Sequence, residues 1–266
     1  TAAKKLGVEV ITAIDLPDEL GRPRETAIML DFRDPDQAVR RIVAYAHDHP
    51  LTAILSVDDS ASLIAAEASA ALELPHNSPQ AAEAARDKFV MRTLLKQGGV
   101  RVPNFQLFST ADDLSDVAQR VTYPCVIKPL ALNGSRGVIR ADDADQLAAA
   151  AHRLSRLLHA IDPSLDPRPY LVEDFIPGCE VALEGLLLHG KLKVLALFDK
   201  PDPLDGPFFE ETLYVTPSRL PPETQNAITH CTAESARALG LSTGPVHAEL
   251  RINDRGPWLV EMAGRS

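Results

Sequence analysis

The chain has 266 residues and a formal net charge of −10, with 45% hydrophobic and 24% charged residues. That length buries a sizeable core with room for more than one subdomain, and the acidic balance argues against a general nucleic-acid binder or an anionic membrane surface as partner. No apolar run reaches the length of a membrane span and no segment reads as a signal peptide; the widely spaced Cys125, Cys179 and Cys231 suit reduced thiols in a cytoplasm rather than a disulfide framework or a zinc site.

Thr1–Gly7 reads as the tail of a helix capped by Gly7, and Ser266 falls just past a strand, so a chain cut at both ends is expected. Val8–Ile11 and Ala27–Leu30 read as short apolar strands, and Asp34 as the N-cap of a helix to about His49. Ala53–Val57 reads as a buried strand ending in Asp58-Asp59-Ser60, before an Ala-rich helix from Ala61 to Leu72. Strands alternating with helices at this spacing indicate a parallel α/β unit. Asp58 and Asp59 then fall at the carboxyl end of a strand, where open sheets bind ligands; a solvated helix cap is the plainer alternative.

Ala81–Gln97 reads as one helix ended by Gly98-Gly99, and it carries Asp87-Lys88. Taken alone, Lys88 is an ordinary surface lysine. Phe105–Phe108 reads as extended and Thr110–Gln119 as helical, and Cys125–Pro129 is a strand with Lys128 near its end. The following loop, Asn133-Gly134-Ser135-Arg136-Gly137, is small, polar and glycine-bearing. Its backbone N–H groups are suited to an anion-binding concavity, with Lys128 and Arg136 adding positive charge; a plain hairpin turn is the alternative. It contains neither Gly-Lys-Ser/Thr nor Gly-x-Gly-x-x-Gly, which excludes a Walker loop and a dinucleotide fingerprint.

A helix over about Asp143–Leu158 leads to a strand through Val172, Glu173 and Asp174, a Pro177-Gly178 hinge, and a second strand, Val181–Leu188. His189-Gly190 turns the chain into Lys191–Phe198; Phe208–Thr216 continues as extended chain, and Pro221–Leu239 is helical. The last stretch reads as a hairpin with Asp254-Arg255-Gly256 as a three-residue loop. In that register Asn253 pairs with Pro257, Arg251 with Leu259, Glu249 with Glu261 and His247 with Ala263. His247, Glu249 and Arg251 share one face. Glu249 and Glu261 become cross-strand neighbours, about 4.5–5.5 Å apart at Cβ, and repel. A hard divalent cation would offset that repulsion; without it one of the two pKa values should rise. A register slip of one residue would instead send one Glu to solvent.

Lys88, Lys128, the glycine loop, Val172–Ile176, Glu180 and the paired Glu249 and Glu261 follow one another in an order that resembles the ATP-grasp superfamily, most closely its L-amino acid ligase and carnosine-synthase branch, with biotin carboxylase more distant. Asp199-Lys200-Pro201, Phe208-Phe209-Glu210 and Val215-Thr216-Pro217-Ser218 also look like that branch. The resemblance implies an ATP-grasp fold of class α/β plus α+β. Its parts would be an N-terminal parallel α/β domain over 1–85, a helical connection over 86–121, a small lid over 122–189, and an incomplete antiparallel-sheet subdomain over 190–266. It implies ATP and Mg²⁺, with Mn²⁺ as the alternative ion.

Residue by residue, the resemblance assigns Lys88 and Lys128 to ATP phosphates and Asn133, Gly134, Ser135, Arg136 and Gly137 to a loop closing over them. It assigns Glu173, Asp174, Phe175 and Ile176 to the adenine hinge, Glu180 to the ribose, Lys200 to the nucleotide and Glu249 and Glu261 to the metal. Arg265, with Lys128 and His247, joins the catalytic set; Arg265 would meet the transferred phosphate. The family strand usually ends Glu-x-Asn-x-Arg, but here it is Glu261-Met262-Ala263-Gly264-Arg265, so Ala263 removes one metal ligand. The implied reaction joins a small-molecule carboxylate to an amine through an acyl phosphate, in a protein without nucleic-acid or membrane partners and compatible with a homodimer. The rival readings are biotin-carboxylase-like activation of bicarbonate and a non-catalytic ATP-binding module.

Overall fold

The computed structural model describes residues 2–15 and 27–265; Thr1 and Ser266 lie outside the described residues. The chain divides into two units, Thr1–Pro79 and Gln80–Ser266. In the first, helix α1 (Ala2–Lys5) ends at Gly7, which takes the left-handed conformation. Strands β1 (Thr12–Asp15) and β2 (Ala27–Leu30) pair in parallel. Helices α2 (Pro35–Asp48) and α3 (Asp59–Ala71) pack Ala38, Ile42, Ile64 and Ala68 against Leu30. The parallel α/β character holds, but two expected strands do not. The first strand starts at Thr12, after Val8–Ile11, and Ala53–Val57 joins no ladder among the described residues. An extended run becomes a strand only where a neighbour takes up its backbone N–H and C=O groups; Leu55 and Val57 are exposed. Asp58 caps α3, accepting a hydrogen bond from the Ser60 amide, so the plainer alternative describes it.

The second unit opens with two helices where the sequence suggests one. Helix α4 (Pro79–Arg86) stops, and Asp87 starts α5 (Lys88–Gln97) by accepting from the Phe89 and Val90 amides. The Asp side chain competes with the helix backbone for those donors, which breaks the helix beside Lys88. Strand β3 (Phe105–Ser109) and helix α6 (Leu114–Arg120) follow, then β4 (Cys125–Pro129), β5 (Ile139–Ala141), α7 (Ala144–Ile161) and β6 (Pro169–Asp174). These strands form an antiparallel sheet of order β3-β6-β4-β5. Its inner face, with Cys125, Ile127, Tyr170 and Val172, packs on Leu147, Ala150 and Leu154 of α7.

The chain then forms β7 (Cys179–Leu188) and β8 (Lys191–Lys200), joined through His189 and Gly190, both at positive φ as a two-residue hairpin requires. Helix α8 (Pro222–Leu239) precedes β9 (Gly244–Asn253) and β10 (Gly256–Ala263). The second antiparallel sheet runs β10-β9-β7-β8. Val181, Leu183, Val246, Ala248, Leu250, Leu259 and Met262 face a core shared with Met91 and Leu95 of α5 and Ile228 and Leu239 of α8. Between β8 and α8, Phe208 and Val215 make only isolated bridges, to Ile139 and Asp199.

Sheet membership moves two sequence-drawn boundaries. β3 belongs to the smaller sheet, not to a helical connection, and β7 pairs with both β8 and β9. The two sheets therefore part at residues 175–178 rather than after His189. Among the described residues no helix is long and apolar enough to cross a membrane.

Candidate functional site

Strand alternation decides what faces the cleft between the two sheets of the second unit. In β4 and β6, Val126 opposes Glu173 and Lys128 opposes Leu171, so Lys128 and Glu173 share the face away from α7. Both are buried and form an ion pair. Arg92, one helical turn beyond Lys88 on α5, grips Glu173 with both oxygens engaged: Nε lies 2.7 Å from Oε2 and a terminal nitrogen 3.1 Å from Oε1. Burial would raise the Glu173 pKa, but Arg92 and Lys128 bring it down to about 2. Burial also lowers the Lys128 pKa, against the pull of Glu173. Lys88 Nζ donates to the Leu132 carbonyl at 2.9 Å and to Glu261 Oε1 at 3.1 Å. Lys88 is buried, not a surface lysine.

On the second sheet, His247, Glu249 and Arg251 of β9 share the cleft face, as their spacing predicts, and β7 places Glu184, Ala182 and Glu180 directly opposite them. Glu261 pairs with Glu249 and Ala263 with His247, but not by the expected route. The turn is tighter by one residue: Asn253 pairs with Gly256, Ile252 with Pro257 and Arg251 with Trp258. An irregularity between Leu259 and Glu261 then inserts Val260 as an extra residue, and the register recovers. Without that bulge Glu261 would face the core.

The expected strain in the carboxylate pair is absent, because each member has its own cation. Lys88 holds Glu261, and Lys200 Nζ lies 3.2 Å from Glu249 and 2.8 Å from Glu180. Lys200 also bonds Glu211, whose other oxygen accepts from Tyr214. His247 sits between Glu184, 2.7 Å from Nδ1, and Glu249, 3.3 Å from Nε2. Burial would raise the Glu249 pKa; the His247 hydrogen bond and the Lys200 charge instead hold it well below the usual carboxylate range, correcting the expected direction. Burial would likewise lower His247, but bonds to Glu249 and Glu184 raise it to about 9. Glu180 is pushed up by burial and by the Glu249 charge, with Lys200 opposing.

Glu180, Glu211 and Glu249 each bring one oxygen within 4.8 Å of the others. Those three donors are all carboxylate, which fits a hard divalent ion, whereas Glu261 lies outside that group and is held by Lys88. Ala263 is buried and offers no side-chain oxygen.

The hinge between the sheets completes the cleft. The guanidinium groups of Arg140 and Arg251 both lie against the Phe175 ring, 4.3 and 4.9 Å from its centre. The Asp174 and Phe175 amides donate to the Asn104 and Pro124 carbonyls, so neither is left for a base. Gly178 has φ +121, and a Cβ there would come 2.0 Å from the Ile252 carbonyl oxygen; only glycine passes so close to β9. The open cleft brings together Lys88, Lys128, Ser135, Glu173, Asp174, Phe175, Ile176, Glu180, Glu249 and Glu261. Of the glycine loop only Ser135 lines it, while Gly134 and Arg136 are exposed and Asn133 and Gly137 half-buried. His247 and Lys200 stand behind Glu249, and Arg265, half-buried, follows β10. Arg92, Glu184 and Glu211 went unread in the sequence. Arg92 lies four residues from Lys88 on a helix and Glu184 four from Glu180 on a strand, spacings that imply a shared face.

The match of these parts to known proteins is extensive. Residues 1–76 match the model of the ATP-grasp N-terminal domain, and residues 121–266 that of the ATP-grasp domain. Alanine–anticapsin ligase of Bacillus subtilis (strain 168) is 27% identical over 252 residues, covering 88% of this chain and 53% of the relative. A D-alanine–D-alanine ligase of Aromatoleum aromaticum is 29% identical over 196 residues, covering 72% of this chain and 60% of the relative. Among solved structures, the L-amino acid ligase from Bacillus licheniformis superposes with a TM-score of 0.81 at 29% identity, covering 99% of this chain and 62% of that one. The chain thus spans roughly half to three-fifths of the length of these relatives. The matched domain takes in more than half of this chain and contains both cleft-lining sheets apart from β3, and the chain belongs to the ATP-grasp family.

Proposed function

We propose that this chain carries the nucleotide-binding part of an ATP-dependent carboxylate–amine ligase that works on small amino acid-like substrates. One observation carries the reading: a single cleft is lined both by lysines, Lys88 and Lys128, and by carboxylates, Glu180, Glu249 and Glu261. A polyphosphate with a divalent ion is a ligand of matching chemistry, since phosphoryl transfer depends on positioning and charge neutralisation. The similarity to ligases that join amino acids supports the choice of reaction.

In this reading Lys88 and Lys128 bind phosphate oxygens, Ser135 and its loop cover them, and the hinge through Ile176 holds the adenine. Glu180 accepts from the ribose hydroxyls. Glu249 and Glu261 would hold Mg²⁺, which would screen the phosphate charge when bound. His247 keeps the Glu249 carboxylate oriented, and Lys200 supplies the balancing charge beside it. The γ-phosphoryl group passes from ATP to a carboxylate oxygen of the first substrate, releasing ADP. The amine then attacks the acyl carbon. The C–N bond forms, the bond to the phosphate oxygen breaks, and phosphate and a proton leave. Arg265 would meet the phosphate as it is transferred.

The test is a matrix of acids and amines assayed for ADP release with the full-length protein. ADP release that requires both an acid and an amine is expected. Release driven by bicarbonate alone would replace this reading with a carboxylase. ATP binding with no acceptor-dependent turnover would reduce the protein to a nucleotide-binding module.

A further inference from the structure

Glu173 poses a problem for any anion-binding role of Lys128. The two form a buried ion pair, and a carboxylate at that distance cancels the charge a phosphate would need. Arg92 resolves it. Its guanidinium is 2% exposed and engages both Glu173 oxygens; the same terminal nitrogen also donates to the Val260 carbonyl at 2.9 Å. Val260 is the extra residue of the bulge that restores Glu261 to the cleft. Arg92 therefore touches Glu173 of the smaller sheet and the bulge of the larger one. The planar guanidinium grips both oxygens of the carboxylate and still has a hydrogen for the carbonyl.

Counted as charges, Arg92 and Lys128 share one carboxylate, so the buried trio retains one positive charge. Because Arg92 takes the bidentate position, that excess resides on Lys128, which lines the cleft while Arg92 does not. We propose that Arg92 is a positioning residue: by neutralising Glu173 it leaves the Lys128 ammonium available to an anionic ligand. The proposal rests on the reading of this cleft as a phosphate site. Without Arg92, Glu173 and Lys128 form a neutral pair, and the cleft loses its attraction for phosphate although Lys128 is still present.

The experiment measures, without metal, the affinities of the full chain for ADP and for adenosine, and takes their ratio. Arg92→Met is expected to reduce the preference for ADP about tenfold or more, the effect of losing a charge-assisted contact, with adenosine affinity held. Adding Glu173→Gln to Arg92→Met should bring the preference back, because Lys128 again lacks a counter-charge. A residue acting only as a structural brace would give a double variant no better than the single one. Should Arg92→Met not fold, the double variant, with both buried charges removed, gives the answer alone: a wild-type-like preference supports the proposal, and a lost one overturns it. Lys128→Ala separates the two levels. If it leaves the ADP preference unchanged, the phosphate reading itself fails; if it abolishes the preference while Arg92→Met does not, only the role of Arg92 fails.

Discussion

The two ends of the cleft are built from the same residue types with opposite charge excess. At one end Arg92, Lys128 and Lys88 face two carboxylates, Glu173 and Glu261. At the other, Lys200, Arg251 and the protonated His247 stand among five, Glu180, Glu184, Asp205, Glu211 and Glu249. The first group is left with a spare cation and the second with spare anions, so one suits phosphate and the other a metal ion. Neither charge could stand alone at this burial; each is paired, and the imbalance carries the function. Breaking either group should therefore disable one ligand and spare the other.

The largest effect is expected where the two groups meet, at Glu261, which faces Lys88 on one side and Glu249 on the other. Glu261→Gln should slow phosphoryl transfer by about 10²–10³-fold, the scale of removing one preorganised electrostatic group. Adenosine affinity, measured by calorimetry, should stay within about twofold, because the hinge lies elsewhere. Equal losses in turnover and adenosine binding would show that Glu261 holds the fold and not the reaction.

Lys200→Met tests the acidic end. It removes the cation common to three carboxylates, and breaking a buried ion pair from one side costs about 3–5 kcal/mol. The melting temperature of the metal-free protein should fall, and millimolar Mg²⁺ should recover much of the loss by taking over the balancing charge. A variant as stable as wild type without metal, or one indifferent to Mg²⁺, would mean the carboxylates do not share a cation.

How much of this was legible in the sequence depended on range. Local rules found Asp34 as a cap, Gly7 as a helix stop and the shared face of His247, Glu249 and Arg251. They failed at Ala53–Val57, since strand formation depends on a partner the local pattern does not contain. The Glu249–Glu261 pairing came out correctly through two compensating features, a tighter turn and a bulge at Val260, neither readable from alternation alone. The counter-ions were the true blind spot. Lys200 lies 49 residues before Glu249 (249 − 200) and Lys88 173 before Glu261, so the repulsion that seemed to demand a metal is already balanced by side chains that only the fold brings near.

Glu180→Gln gives a smaller effect. If Glu180 accepts from a ribose, the loss for ATP should be about 1.5–2 kcal/mol, the scale of a hydrogen bond to a charged acceptor. A 2′,3′-dideoxy nucleotide should not respond. Parallel losses for both nucleotides would assign Glu180 to holding Lys200 instead.

The smallest expected effect is a pH dependence that belongs to the acidic end only. His247 titrates near 9 in the folded protein, raised from an ordinary value of 6.5 once its carboxylate bonds outweigh burial. A raised folded pKa means that the folded state holds a proton the unfolded chain releases. The resulting stability is complete below about pH 6.5 and is lost as the pH rises through about 9. With the cleft partly open to solvent, the contribution is expected to be about 1 kcal/mol, less than the shift alone would give. The measurement is thermal unfolding of the metal-free protein from pH 6 to about pH 9.5, wild type against His247→Gln, where pH 9.5 lies beyond the folded pKa. The wild-type advantage should shrink steadily across that range, while Lys128→Ala, at the other end of the cleft, should keep the wild-type pH profile. A constant gap between wild type and His247→Gln would mean that His247 packs against Glu184 and Glu249 as a neutral ring, and that the acidic end is balanced by Lys200 and Arg251.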